Sequence, residues 1–314
     1  MSDAGPARKR KPVAVVSDAA TEWAFAFGWS IVRHLPARAA YATFDRAADL
    51  IWRKRGEGVL QFERNQARIH PDASAAELRE LSRLGMRSYL RYWCDAFRLP
   101  TWSHEQILET QDLEDRYLMD EAVAAGRGAI MVVTHSGNWD HAAAWGCLRY
   151  GGLTTVVERL KPEGLYRRFL AFRESLGMEI IPTGEPDIIR ELAQRLKEGR
   201  LVPLMGDRDI GRNGVVVELF GEPASLPAGP ALLALLTGAP LLPVCLWFDG
   251  PMSTGRVYPA VAVPTSGTRD EQIHAITQGV ARAFEAGIRD HSVDWHMMQP
   301  VWIADLDPAR RRAE

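Results

Sequence analysis

From Gly128 to about Trp247, short runs of β-branched and apolar residues alternate with stretches of helical periodicity, and this alternation leaves few folds open. The pattern predicts strands over 129–133, 153–157, 179–181, 201–205, 215–219 and 241–248. Helices are expected between them over 139–150, 162–176, 187–197 and 228–236. Strands joined by helices return in the same direction, so the chain reads as α/β, with a central, largely parallel sheet flanked by helices. Upstream, residues 13 to about 125 read as a helical N-terminal layer, with helices over 44–52, 75–97 and 106–125 punctuated by Pro36, Pro71 and Pro100. One more strand near 256–263 and a helix over 270–289 close the pattern. With no repeat and no long linker, residues 35–305 form the main domain, between a segment over 1–34 and a basic tail over 306–314.

Ligands of such sheets bind outside the carboxyl ends of the strands. Two polar groups fall there. The run Met131-Val132-Val133-Thr134-His135-Ser136-Gly137-Asn138-Trp139-Asp140 passes from strand through a polar turn into a helix start. An aspartate in a first helical turn can fold back on an imidazole, hold one tautomer and stabilise the protonated ring. His135 and Asp140 are therefore read as a general-base dyad, with Asp140 as the orienting partner. The second group, Gly206-Asp207-Arg208-Asp209, follows the strand over 201–205.

Other chemistries fit less well. No G-x-S-x-G elbow is present, and Ser136 follows His135 directly, the wrong relation for a base and its nucleophile, though it stays open as a candidate. His141 is read as a partly exposed helix residue, and no converging set of metal ligands is apparent. Rossmann and P-loop fingerprints are missing as well. A dyad without a protein nucleophile suits direct attack by a substrate hydroxyl on an activated acyl group such as a thioester. General-base assistance contributes about 10²–10⁴-fold, and the rest must come from positioning and oxyanion stabilisation.

A net charge of -2 argues against nucleic acid as a partner, because phosphate binding needs a basic surface. The charge is unevenly placed: Arg8-Lys9-Arg10-Lys11 and Arg53-Lys54-Arg55 flank an aromatic stretch containing Trp23, Phe25, Phe27 and Trp29. That combination suits a helix lying in a membrane interface; the stretch is too short to span one. Cys94, Cys147 and Cys245 lie far apart among apolar neighbours and read as buried thiols.

The block V-T-H-S-G-N-W-D resembles the H-x4-D/E block of the glycerolipid and lipid A acyltransferases, in its N-W variant. Glu218-Leu219-Phe220-Gly221-Glu222-Pro223-Ala224 with Pro227-Ala228-Gly229-Pro230-Ala231 is similar to a later block of the lipid A branch, and Asp207-Arg208-Asp209 to its acidic stretch. Val157-Glu158-Arg159-Leu160-Lys161-Pro162-Glu163 and Phe172-Arg173-Glu174-Ser175-Leu176-Gly177 resemble the phosphatidylinositol mannoside acyltransferases of the actinobacterial cell envelope.

This resemblance implies a glycerol-3-phosphate acyltransferase-like fold. It also implies transfer of a palmitoyl group from acyl-CoA to the 6-hydroxyl of a mannose of phosphatidylinositol mannosides, at the cytoplasmic face of the membrane. Acyl-CoA would be a co-substrate, with no further cofactor and no metal. Carried over by motif, His135 is the base and Asp140 its partner. Glu158 and Arg173 become substrate-binding positions, as do Asp207, Arg208 and Asp209, with either Asp207 or Asp209 expected near His135. Arg167 and Arg168 offer a phosphate contact or a solvated face. The helix over 228–236 offers an acyl groove or, more simply, core. Another glycolipid or lysophospholipid acceptor, or a non-catalytic lipid-binding role on the same fold, stays open at this point.

Overall fold

The computed structural model describes residues 31–157, 163–184, 187–209 and 214–306 of the protein. The expected interfacial segment over 1–34 lies almost wholly outside the described residues, as do Glu158 and nearly all of the basic tail over 306–314.

Six strands make the central sheet, in the order β3-β2-β4-β1-β7-β8. They are β1 (Ala129–Val133), β2 (Leu153–Val157), β3 (Met178–Pro182), β4 (Leu201–Met205), β7 (Leu241–Asp249) and β8 (Met252–Val257). All neighbours run parallel except β8, which turns back antiparallel on β7. The α/β class with a mostly parallel sheet is thus as expected. β1 sits between β4 and β7, and all five of its residues are buried. Its alternation feeds two cores: Ile130 and Val132 join one apolar cluster, while Ala129, Met131 and Val133 join the cluster on the other face. Each of the larger side chains here, Ile130, Met131, Val132 and Val133, gains about 1.5–3 kcal/mol by leaving water.

Several expectations need correction. Residues 106–125 form two helices, His104–Glu109 and Tyr117–Ala124, where one was expected. The residues between them pair with the outer edge of β8, through Asp112 N–H to Ser253 O (3.2 Å) and Glu114 N–H to Gly255 O (2.8 Å). An edge strand with bare N–H and C=O groups is thereby covered, which outweighs helix propensity over those few residues. The last strand is β8, earlier than the expected 256–263. Residues 215–219 do not extend the central sheet. They form β5 (Val215–Leu219) of a hairpin with β6 (Glu222–Leu226), closed by Phe220 and Gly221, both at positive φ (51° and 78°).

The helical N-terminal layer contains Ala37–Arg53, Glu57–Ile69 and Ala75–Arg98. Helix Ala75–Arg98 starts in a capping box, with Ser74 and Glu77 satisfying each other's backbone N–H groups. Gly85 lets it cross helix Glu57–Ile69 closely, since a Cβ there would stand 2.3 Å from the Phe62 ring. Helix Glu57–Ile69 escaped the sequence reading because its buried face is rich in amides. Gln66 Nε2 donates to Ser292 O (2.8 Å), Asn65 Nδ2 to Met297 O (2.8 Å), and Gln61 Nε2 to Asp305 (2.8 Å). Buried amides are tolerated when so paired. Among the described residues, no helix is long and apolar enough to cross a membrane.

Candidate active site

β1 and β4 pair in register, Val133 opposite Met205, and Gly206 N–H still bonds Val133 O (2.9 Å) one step later. Two residues past the last pair stand His135 and Asp207. Parallel strands lie about 4.8 Å apart, so the side chains meet across the end of the ladder. Asp207 Oδ1 is 2.6 Å from His135 Nδ1, and its Oδ2 accepts from the His135 backbone N–H (2.7 Å). Gly206 makes the turn possible: a Cβ there would lie 2.1 Å from Val132 Cγ1.

The orienting partner of His135 is therefore Asp207, and the expectation that Asp140 fills this role is corrected. Asp140 lies in the first turn of helix Trp139–Tyr150, fully buried, with both oxygens engaged elsewhere. Arg173 Nε donates to its Oδ1 (2.7 Å) and the Tyr92 hydroxyl to its Oδ2 (2.8 Å). Arg173, expected to face Glu158 or a sugar, forms with Asp140 a buried ion pair that ties helix Glu163–Ser175 to the histidine loop. Burial works against its charge, but Asp140 and Tyr92 together hold the guanidinium firmly protonated. Asp209 turns to the hairpin, accepting from Gly214 N–H (3.1 Å) and Ser225 Oγ (3.3 Å), and Arg208 between the two aspartates is half-buried.

The loop itself is tightly held. Gly137 has φ 53°, and a Cβ there would come within 2.7 Å of Trp247 N. Asn138 caps helix Trp139–Tyr150 by accepting from His141 N–H (3.0 Å). Ser136 is buried, with its hydroxyl shared with Thr134 Oγ1 (2.5 Å) and accepting from Leu246 N–H (3.1 Å), which leaves it no place as a nucleophile. His141 is a core histidine and not partly exposed: it is 1% exposed, bonds Ile107 O (3.1 Å), and burial lowers its pKa to about 4.

Several residues of the site carry no sequence signal. Trp295, fully buried, donates its indole N–H to Asp207 Oδ2 (2.8 Å). Tyr92 stacks on Trp139 with ring centroids 3.9 Å apart, and desolvation pushes its hydroxyl well above the usual range, so it remains a donor to Asp140. His296 donates its backbone N–H to His135 O (2.8 Å), and its ring bonds Ser88 Oγ (2.8 Å). Burial first, then the charge of His135, brings its pKa down to about 3 and keeps it neutral. A composition-level hint lay in the crowding of Tyr89, Tyr92 and Trp93 along one helix, but nothing in it pointed to Asp140.

Burial alone would push the Asp207 carboxyl up. The His135 charge, together with hydrogen bonds from its ring and backbone and from the Trp295 indole, outweighs burial and holds Asp207 below the usual carboxylate range. An ionised carboxylate only accepts, so Nδ1 is the nitrogen that bears the proton, and in the neutral ring the lone pair is left on Nε2. The His135 side chain is 26% exposed against 1% for Asp207, and no described residue bonds Nε2. The arrangement can take a proton from a hydroxyl arriving from solvent. Among the described residues no group of acidic, histidine and cysteine side chains is placed to hold a metal ion. Arg167 and Arg168 are exposed, and helix Gly229–Thr237 buries Pro230, Ala231, Leu233 and Ala234 in the core.

The family model described as bacterial lipid A biosynthesis acyltransferase matches residues 8–303. The chain is similar to a phosphatidylinositol mannoside acyltransferase of Mycobacterium tuberculosis, 45% identical over 306 residues that cover 96% of this chain and 95% of the relative. It is also similar to a protein of the same name from Mycolicibacterium smegmatis, 45% identical over 293 residues, 93% of this chain and 94% of that one.

Proposed function

We propose, for a chain that belongs to the bacterial lipid A biosynthesis acyltransferase family, that acyl-CoA is its donor and a mannose hydroxyl of a phosphatidylinositol mannoside its acceptor. The acceptor class follows the names of the two relatives. The observation that carries the chemistry is the pairing of His135 Nδ1 with Asp207, with Nε2 bonded by no described residue and the neighbouring Ser136 hydroxyl held by Thr134 and Leu246.

In this reading the acceptor hydroxyl, the primary 6-hydroxyl of a mannose, gives its proton to His135 Nε2 as its oxygen attacks the thioester carbonyl. Asp207 holds the ring in the productive tautomer and balances the imidazolium. The tetrahedral intermediate then collapses, the carbon–sulfur bond breaks, and the CoA thiolate takes the proton from His135. No acyl-enzyme forms. Asp140, with Arg173 and Tyr92, fixes the helix that begins directly after the loop. Glu158 and the Arg208–Asp209 turn are assigned to the acceptor head group. A palmitoyl chain is the expected cargo, and attachment to the cytoplasmic face of the membrane through residues 1–34 brings both substrates to one surface.

The test is release of CoA from labelled palmitoyl-CoA across a panel of phosphatidylinositol mannosides, other glycolipids and lysophospholipids. Release should require a phosphatidylinositol mannoside, yield an acylated mannose, and vanish in His135→Ala. Equal release without acceptor would mark a thioesterase, and transfer to lysophospholipids alone would move the acceptor. Unchanged glycolipid profiles in cells carrying His135→Ala would favour a non-catalytic role.

A further inference from the structure

Three consecutive residues on a segment far from the histidine motif in sequence each bond a different part of the site. Asp294 O accepts from Gly137 N–H (3.0 Å), the Trp295 indole donates to Asp207 Oδ2 (2.8 Å), and His296 N–H donates to His135 O (2.8 Å). Ser136 and Trp295 also form an antiparallel bridge. The same segment is anchored from outside. Gln66 and Asn65 hold Ser292 O and Met297 O, while Ser88 binds both Asp294 Oδ1 and the His296 ring. Asp294 Oδ2 in turn accepts from Phe248 N–H (3.2 Å) on β7.

We propose that residues 294–296 form a positioning strap for the His135–Asp207 pair, and that Trp295 is its decisive member. A carboxylate beside a histidine can rotate about its Cβ–Cγ bond, and rotation swings Oδ1 away from Nδ1. The indole N–H and the His135 backbone N–H together fix Oδ2, which leaves Oδ1 aimed at the ring. His296 closes the other side by fixing the carbonyl of the base itself. Its ring stays neutral, so it brings no second cation to compete for Asp207. Trp295 acts through Asp207 and touches no substrate, so it is a positioning residue. The role in catalysis rests on the reaction proposed above; the effect on the pair does not.

Trp302 supplies a matched control. It too is fully buried and donates its indole N–H, to Leu219 O (2.9 Å) and not to the dyad, while its ring meets that of Trp295 edge-on (centroids 6.0 Å), a contact a phenylalanine ring keeps. Replacing either tryptophan by phenylalanine removes one buried donor and similar volume. Misplacement of a base by a fraction of an ångström to an ångström costs on the order of 10- to 100-fold, so Trp295→Phe should lower kcat by about that factor with KM changed less than about twofold. Trp302→Phe should lose thermal stability yet keep kcat per folded enzyme.

A second reading needs no turnover. The proton on His135 Nδ1, assigned in ¹⁵N-histidine-labelled protein by its loss in His135→Gln, should give a slowly exchanging low-field resonance. It should shift upfield or exchange faster in Trp295→Phe and stay unchanged in Trp302→Phe. If Trp295→Phe does not fold, Gln66→Leu, which frees Ser292 O without touching the dyad, should produce the same changes in weaker form. A resonance and kcat unaffected by loosening the strap, or equal kcat losses in the two tryptophan variants, would overturn the proposal. Absence of transfer by the wild type to any phosphatidylinositol mannoside would sink the proposed function alone, and the resonance would still decide the strap.

Discussion

His135 takes its carboxylate from Asp207, across the strand ladder, and leaves Asp140, five residues away in its own motif, to Arg173 and Tyr92. Two aspartates near one histidine therefore do separate work, and substitutions at each should fail differently.

Asp207→Asn should fold and lose transfer. The amide oxygen can still accept from Trp295 and the His135 backbone, while its NH₂ must donate to Nδ1 and force the proton onto Nε2. A base trapped in the wrong tautomer loses about 10⁴-fold in kcat. Steady-state kinetics beside a thermal melt would check this; kcat within tenfold of wild type would remove Asp207 from the mechanism.

Asp140→Ala should fail mainly in stability. It leaves the Arg173 guanidinium buried without its anion, and breaking such a pair from one side costs roughly 3–5 kcal/mol. Replacing both partners, Asp140→Ala with Arg173→Met, should cost less than the sum of the single changes. Additive losses of melting temperature in that double-mutant cycle would show that the pair is not coupled.

Acid should weaken the fold through His141. Its pKa falls from 6.5 to about 4 because burial disfavours the charged ring. The unfolded chain binds a proton below about pH 6.5 that the native state refuses until about pH 4, so this contribution is complete above pH 6.5 and lost on acidification through that window. His141→Gln keeps a donor for Ile107 O and removes the titration. The melting temperature of the variant should therefore fall less steeply between pH 6.5 and 4.5 than that of wild type. Parallel curves would assign the acid sensitivity elsewhere.

Gly206→Ala should drive a methyl group into Val132, where the built Cβ stands 2.1 Å from Cγ1. Overpacking of this kind costs about 1–3 kcal/mol, and here it also displaces the residue before Asp207. Both melting temperature and kcat should drop, and Val132→Ala should restore part of each. A variant with wild-type kcat would mean that the turn tolerates the shift.

Under the proposed membrane attachment through residues 1–34, replacing Trp23, Phe27 and Trp29 by serine should move the protein from sedimenting membranes to the supernatant. Sedimentation that does not change would refute the interfacial assignment of residues 1–34.

The α/β class was legible because β1 and most of β7 are buried on both faces, and β4 at its start, so that all three read as continuous apolar runs. Helix Glu57–Ile69 was not, since its inward face presents Gln61, Asn65 and Gln66, which pair with the Asp305 carboxylate and with the backbone carbonyls of Met297 and Ser292, all more than two hundred residues away. β6 was hidden for a similar reason: hairpin strands with one exposed face leave a weak, mixed pattern. His135 could be singled out from local order alone, at the end of a strand and before a helix. Its true partner depended on strand order, which composition and spacing do not encode. Placing β4 beside β1 settles at once that Asp207 meets the imidazole and Asp209 does not.

The bonds from residues 294–296 to Gly137, Asp207 and His135 also impose an order in time. Synthesis delivers the histidine loop first, then Asp207, and only much later the tryptophan that steadies them. A ribosome-bound chain that has not yet released Trp295 thus carries an unfinished reaction centre. A protein truncated before Trp295 would carry both His135 and Asp207 and still lack the donor that holds the carboxylate in place.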